Sequence, residues 1–271
     1  MTLDPRAALT LDAHLSYLRG LSLAGGGQVV EIDGGLIFES RHPLPFLING
    51  VARTEPTAEP AAIVAAGRRH FGARGFEVLC LAQRDEDLHT AALAAGLHAE
   101  ASGDPLQYID HAPLPAPADR ARIEIRSVSD EAGVADIGAV NQDASAAYEV
   151  FPADVYATVF GTPSTVLAEH ITAFVGYDAG RPVATAQLVR YRDIAYVGWV
   201  AVVRSAMRRG LGWLLTETVV NAGLAEGLSA AVLMASPMGA PLYRRMGFID
   251  VGEVRNAYAP VAGAGDDSNQ L

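Results

Sequence analysis

The run Arg204-Ser205-Ala206-Met207-Arg208-Arg209-Gly210-Leu211-Gly212-Trp213 has the composition of an anion cradle. Glycines at 210 and 212 have no Cβ to hold a ligand off, so consecutive backbone N–H groups can converge on one phosphate. Arg208 and Arg209 add charge where the start of a following helix already favours an anion. Such a cradle needs a strand before it and a helix after it, and the flanking sequence supplies both. Residues 195–203 are apolar, β-branched and aromatic, which predicts a buried strand. Leu211, Leu214, Leu215, Thr218, Val219 and Ala222 recur at helical spacing. A second apolar run at 230–235 predicts another strand, and residues 240–248 predict a short helix that carries Tyr243 and ends at Gly247-Phe248. Taken alone, a Gly-x-Gly pair also serves simply to turn a chain from strand to helix.

In combination, this order of strand, basic Gly-x-Gly turn, helix, strand, tyrosine-bearing helix and Gly-Phe resembles the GNAT superfamily of acyl-CoA-dependent N-acyltransferases. The resemblance covers roughly residues 120 to 260. The family's phosphate signature is Gln or Arg, two variable residues, Gly, one variable residue, then Gly or Ala. Here it reads Met207-Arg208-Arg209-Gly210-Leu211-Gly212, so methionine replaces the first polar residue and removes a side chain but no amide. The resemblance implies that the N–H groups of Arg208, Arg209, Gly210, Leu211, Gly212 and Trp213 hold the pyrophosphate of acetyl-coenzyme A, a co-substrate used without a metal. Val200, Ala201 and Val202 would offer strand-edge groups to the pantetheine arm, which binds like an added strand; core packing is the other role open to them. Ser236 stands where many relatives keep an asparagine near that arm, although serine before Pro237 is also ordinary turn chemistry.

Tyr243 stands where the family keeps the tyrosine that protonates the departing thiolate. A phenol titrates near about 10 and a thiol near about 8.5, so the hydroxyl is available as a donor at neutral pH. Its alternative is packing on a short amphipathic helix. An alkylammonium acceptor must lose a proton before it attacks a thioester, yet residues 195–203 contain no carboxylate or histidine, a departure from relatives that keep a glutamate there. Glu149, His170 and Glu253 are the candidate bases, although each reads more readily as a solvated or structural residue. Tyr196 and Trp199 either line the acceptor groove or fill the core.

Composition narrows the context. The chain has 271 residues, half of them apolar, enough for one large core or two ordinary ones. A formal net charge of −11 argues against general nucleic-acid affinity and favours a cationic acceptor, a small-molecule or peptide amine. All 20 positive side chains are arginine, so self-acetylation on a lysine side chain is excluded. No apolar run of about 18 residues exists and the N-terminus has no basic-then-apolar pattern, so the expectation is a cytoplasmic protein without membrane association. A homodimer is open. Cys80, the only cysteine, sits in an apolar run and reads as a buried, inert thiol.

The N-terminal half repeats the order of elements in faded form. Residues 45–53 correspond to the strand ending at Arg204, residues 60–73 to the helix after Gly212, residues 76–82 to the second strand, and 93–97 to 244–248, a repeat of about 150 residues. Its cradle is gone: Thr54-Glu55-Pro56-Thr57-Ala58-Glu59-Pro60 carries two carboxylates that repel a pyrophosphate and two prolines that lack N–H donors. Ala92 stands opposite Tyr243. An unrelated α/β domain is the alternative to a repeat.

The expected fold class is therefore α/β, two GNAT-like mixed-sheet domains in tandem with helices on both faces of each sheet. The expected boundaries are 1–112 for a degenerate domain that binds no coenzyme A, 113–119 for an Ala/Pro linker, 120–261 for the acetyl-CoA-binding domain and 262–271 for a disordered tail. Within the second domain, Ser129-Asp130-Glu131 marks a helix start, and strands at 170–177 and 182–191 are turned by Asp178-Ala179-Gly180. Two functions fit. One is direct transfer of an acyl group to a primary amine in a ternary complex, which the presence of Tyr243 favours. The other is an acyl-CoA sensor or assembly protein that has lost turnover, which Met207 and the missing strand carboxylate favour.

Overall fold

A computed structural model describes residues 4–41, 48–100, 102–117, 122–146, 155 and 159–259. The chain forms two compact units, one of residues 1–106, 235–237 and 251–271, the other of residues 107–234 and 238–250. Residues 118 and 119 of the expected linker and all of the expected tail lie outside the described residues.

In the first unit, Asp4 caps α1 (Pro5–Ala24) by accepting the Arg6 amide at 2.9 Å, with Pro5 in the first turn where its missing N–H costs nothing. The sheet runs β1 (Gln28–Ile32), β2 (Gly35–Glu39), β3 (Gly50–Arg53), β4 (Phe76–Leu81) and β12 (Ile249–Ala259). β3 and β4 are parallel, joined through α2 (Pro60–Phe71), and α3 (Glu86–Ala94) follows β4. Val78 and Cys80 face Phe71, Leu88 and Ala92 of these two helices. On the opposite face, Gly252 packs close to Ala7 of α1 and to Leu81. Strand alternation thus gives each side of the sheet a helix layer. The short β5 (His98–Ala99) pairs with β12, whose partner on the other side is β4, with Asn256 opposite Leu79. Burial, then the nearby Asp85, raises the Cys80 thiol far above its ordinary range, as expected of an inert core residue.

The chain enters the second unit within β6 (Asp104–Ile109). Its sheet runs β11 (Ala230–Met234), β10 (Ile194–Val202), β9 (Arg181–Tyr191), β8 (Ile171–Asp178) and β7 (Ile123–Ser127), with β10 and β11 parallel and the rest antiparallel. The β8–β9 hairpin turns at Ala179 and Gly180, both with positive φ, 50° and 76°, which matches the right-handed twist of the flanking strands. α4 (Glu131–Ser145) begins where Asp130 accepts the Gly133 amide at 2.8 Å, and its Val134 and Ile137 pack on Ala173, Val175 and Tyr177 of β8. A single turn, α5 (Pro163–Val166), borders the same layer. α6 (Leu211–Ala225) covers the other face, with Leu215 against Gly176 and Gly223 against Ala195. α7 (Ala240–Met246) follows β11. The Ala/Pro segment is strapped to this unit: Leu114 donates to the Met246 carbonyl at 3.0 Å and accepts from Trp213 Nε1 at 2.7 Å, and the Ala116 amide donates to Glu217 at 2.7 Å. No helix among the described residues is long and apolar enough to cross a membrane.

Candidate active site

The parallel pairing of β10 with β11 covers only Ile194–Tyr196 against Ala230–Val232. β10 continues to Val202, whereas β11 ends at Met234. A bulge between Gly198 and Ala201 also bends β10 relative to β9. Past Tyr196, then, the edge of β10 facing β11 has no ladder partner among the described residues over the stretch that holds Val200, Ala201 and Val202. That is the geometry an extended ligand needs to pair as a strand.

At the end of β10 a 3₁₀ turn, Arg204–Ala206, leads to the cradle. Arg208 has φ 62° and Gly210 has φ 79°. Glycine adopts this left-handed conformation freely, while arginine pays roughly 1 kcal/mol or more for it, a strain typical of ligand-binding turns. Gly210 caps α6 without any side-chain hydrogen bond. Among the described residues no N-cap side chain therefore occupies the first amides of the helix, which carry the positive end of its dipole. Gly212, in this first turn, brings three parts of the site together: a Cβ built on it would lie 3.6 Å from Leu242 of α7, 3.9 Å from Val202 and 4.0 Å from Val200.

The arginines are divided by their partners. Arg209 is paired with Asp178 at 2.6 Å and Arg244 with Asp250 at 2.7 Å. The Asp178 carboxyl is held below its usual range first by the Arg122 hydrogen bond and then by that of Arg209. Among the described residues no carboxylate pairs with Arg208 or Arg245, and Arg245 lies over the Trp213 ring at 5.9 Å. Two guanidinium groups thus stand beside the helix start without an ion-pair partner among the described residues. Trp213 contributes its amide to the first turn while its indole is committed to Leu114.

Tyr243 is half-buried on α7, its ring edge-on to Phe248 at 5.9 Å, one residue beyond the Leu242 that packs beside Gly212. Ser236 is exposed and belongs to the segment 235–237 of the first unit. Tyr196 is buried at 4% exposure and is a core residue. Trp199 stacks on Phe160 with ring centroids 3.9 Å apart, beside the cluster of Val140, Ala144 and Ala201 under α4. Of the candidate bases, Glu149 lies outside the described residues, His170 is exposed, and Glu253 lies in the first unit, paired with Arg255 at 3.2 Å. No described group of three or more His, Cys, Asp or Glu side chains can hold a metal ion.

The equivalent place in the first unit is built differently. β3 and β4 pair over Gly50–Ala52 and Glu77–Leu79, and beyond them Arg53 fills the gap. At 1% exposure, its guanidinium bonds Asp85 at 2.8 Å, Asp87 at 2.7 Å, the Arg84 carbonyl at 3.2 Å and the Ala58 carbonyl at 3.3 Å. The amides of Thr54 and Glu55, where a cradle would be, both donate to the Gly34 carbonyl. Ala92 is fully buried in the core. Sequence reading identified the missing cradle but not the plug, because Asp85 and Asp87 lie more than thirty positions from Arg53 and only the fold brings them to it.

Residues 169–250 match the family model of the Acetyltransferase (GNAT) domain. No curated protein matches the chain by sequence. Among solved structures, a GCN5-related N-acetyltransferase from Kribbella flavida superposes with a TM-score of 0.70 at 20% identity, covering 93% of this chain and 95% of that one. A GCN5-related N-acetyltransferase from Sphaerobacter thermophilus gives 0.60 at 17% identity over 84% of this chain and 77% of its own. A tandem GNAT protein from the clavulanic acid biosynthesis pathway gives 0.56 at 14% identity over 93% and 95%. The likeness spans both halves, so the first half also has the GNAT fold, as the internal repeat implied.

Proposed function

We propose that the GNAT domain this chain carries at residues 169–250 transfers an acetyl or similar acyl group from coenzyme A to a primary amine. The observation that supports this most is the slot between the unpaired edge of β10 and the uncapped start of α6, where Gly212 meets Val200, Val202 and Leu242. A diphosphate fits the amides of Arg208 to Trp213, with Arg208 and Arg245 as counter-charges. The pantetheine arm then adds as a strand along Val200, Ala201 and Val202, which carries the thioester toward α7.

The amine attacks the thioester carbonyl, a C–N bond forms and the C–S bond breaks. Tyr243 gives its phenolic proton to the departing sulfur, and the proton lost by the attacking nitrogen passes to solvent. With no carboxylate on β10, the base acts through water. Proximity of the two bound substrates supplies most of the acceleration, so no covalent acyl-protein intermediate is needed. The acceptor is cationic before it reacts, in keeping with the acidic chain.

The experiment is release of free thiol from acetyl-CoA across a panel of amines, peptides and amino sugars. Acceptor-dependent release that falls on Tyr243→Phe supports the proposal. Tight cofactor binding with no release for any acceptor would point instead to a sensor.

A further inference from the structure

β7 is the last strand of its sheet. Among the described residues its only ladder partner is β8, with Ile125 opposite Gly176 and Ser127 opposite Phe174. The Val128 amide donates to the Ala173 carbonyl, the next pair in that register, at 2.9 Å. Directly opposed pairs in an antiparallel ladder alternate between bonded and non-bonded, so Glu124 and Arg126 spend their backbone groups on β8. Ile123, Ile125 and Ser127 therefore turn theirs outward, where a further strand can take them.

The side chains alternate as well. Glu124 and Arg126 lie on the α4 face, bonded to each other at 2.7 Å, with Arg126 over the Tyr177 ring at 4.5 Å. They are 61% and 53% exposed. Ile123 and Ile125 lie on the α6 face, where with Leu214 and Thr218 they line a groove of about 160 Å³. Ile125 is only half-buried in it.

This strand is complementary to itself. Laid antiparallel against a second copy with Ile125 opposite Ile125, the outward groups of Ile123 meet those of Ser127, and each such pair can exchange both of its N–H···O bonds. The same register sets Glu124 of each copy opposite Arg126 of the other, in the non-bonded position where Cα atoms approach to about 4.5 Å. Four charges then alternate in sign around the two-fold axis, and the two Ile125 side chains meet over the grooves. The neighbouring symmetric registers are worse, since one puts Glu124 on its own copy and the other puts Arg126 on its own copy.

We infer that a second copy of this chain docks antiparallel on the outer edge of β7, about a two-fold axis at Ile125, and joins the two C-terminal sheets into one. This edge is separate from the coenzyme A slot on β10, and the inference does not rest on acyl transfer.

The test is sedimentation velocity of the full chain at physiological ionic strength, because the formal charge of −11 on each copy opposes association at low salt. The expected result is a concentration-dependent dimer. Glu124→Arg and Arg126→Glu, each alone, set like charges opposite one another at both positions and should weaken the dimer by about tenfold or more. Mixed in equal amounts, the two variants should dimerise again, because each then faces the opposite charge. Glu31→Arg, at a side chain that is 83% exposed on β1, should leave the dimer unchanged. Circular dichroism shows that each variant is folded. A chain that stays monomeric up to roughly 0.2 mM, a dimer indifferent to both variants, or variants that fail to recover on mixing would each overturn the inference.

Discussion

Replacing Arg53 with methionine tests whether the first half is sealed by a buried ion cluster. The side chain makes six hydrogen bonds, two each to Asp85 and Asp87 and one each to the carbonyls of Ala58 and Arg84. Asp87 is exposed and can return to water, but Asp85 is at 0% exposure. Asp85 would retain Arg84 at 2.8 Å and the Leu81 amide at 3.0 Å, so the loss falls at the lower end of the about 3–5 kcal/mol typical of breaking a buried pair. For a chain of this size about 3 kcal/mol corresponds to roughly 6–12 °C in melting temperature. The assay is urea and thermal unfolding followed by circular dichroism. The double variant Arg53→Met/Asp85→Asn should recover most of the loss, because it leaves no stranded charge. A single-variant loss below about 1 kcal/mol, or a double variant as unstable as the single one, would refute the reasoning.

Tyr243→Phe should lower turnover by about 10²–10⁴-fold while coenzyme A affinity changes less than about twofold, measured by thiol release and calorimetry. Gly210→Val should cost about 1–2 kcal/mol of stability, since φ is 79° there, and should weaken coenzyme A binding by disturbing the amides around it; normal affinity at reduced stability would remove Gly210 from the cradle. His14 is buried and burial lowers its imidazole to about 4, so the unfolded chain binds the extra proton between 6.5 and about 4. Its contribution is therefore full above pH 6.5 and lost as pH falls toward 4, by at most about 3 kcal/mol, and His14→Gln should flatten that part of the unfolding curve.

The legible parts of this molecule are those whose chemistry is local in sequence. Met207 to Trp213, with its glycines and arginines between a strand and a helix, announced the turn that the structure contains. Asp130 as a helix cap and Asp178-Ala179-Gly180 as a hairpin turn are one-residue or two-residue signals, and both elements form where those signals stand. Asp4-Pro5 is an equally good helix start and Asp33-Gly34 an equally good hairpin turn, so α1 and the β1–β2 pair were readable by the same rules. Long-range pairings were not. Nothing in residues 254–259 says that they lie beside 76–81 of the first unit, because a strand's pattern specifies the face it buries and not the neighbour it joins. The sealing of the first half by Arg53 is of the same kind.

The central claim is that the start of α6 in the second unit holds a diphosphate and that the first unit does not. Calorimetric titration of the purified full-length chain with free coenzyme A tests it most directly. The account predicts one molecule bound per chain, with affinity that falls on Gly210→Val and stays unchanged on Glu55→Gln in the loop that replaces the cradle of the first half. No uptake of coenzyme A by well-folded protein, or two molecules per chain, would contradict it.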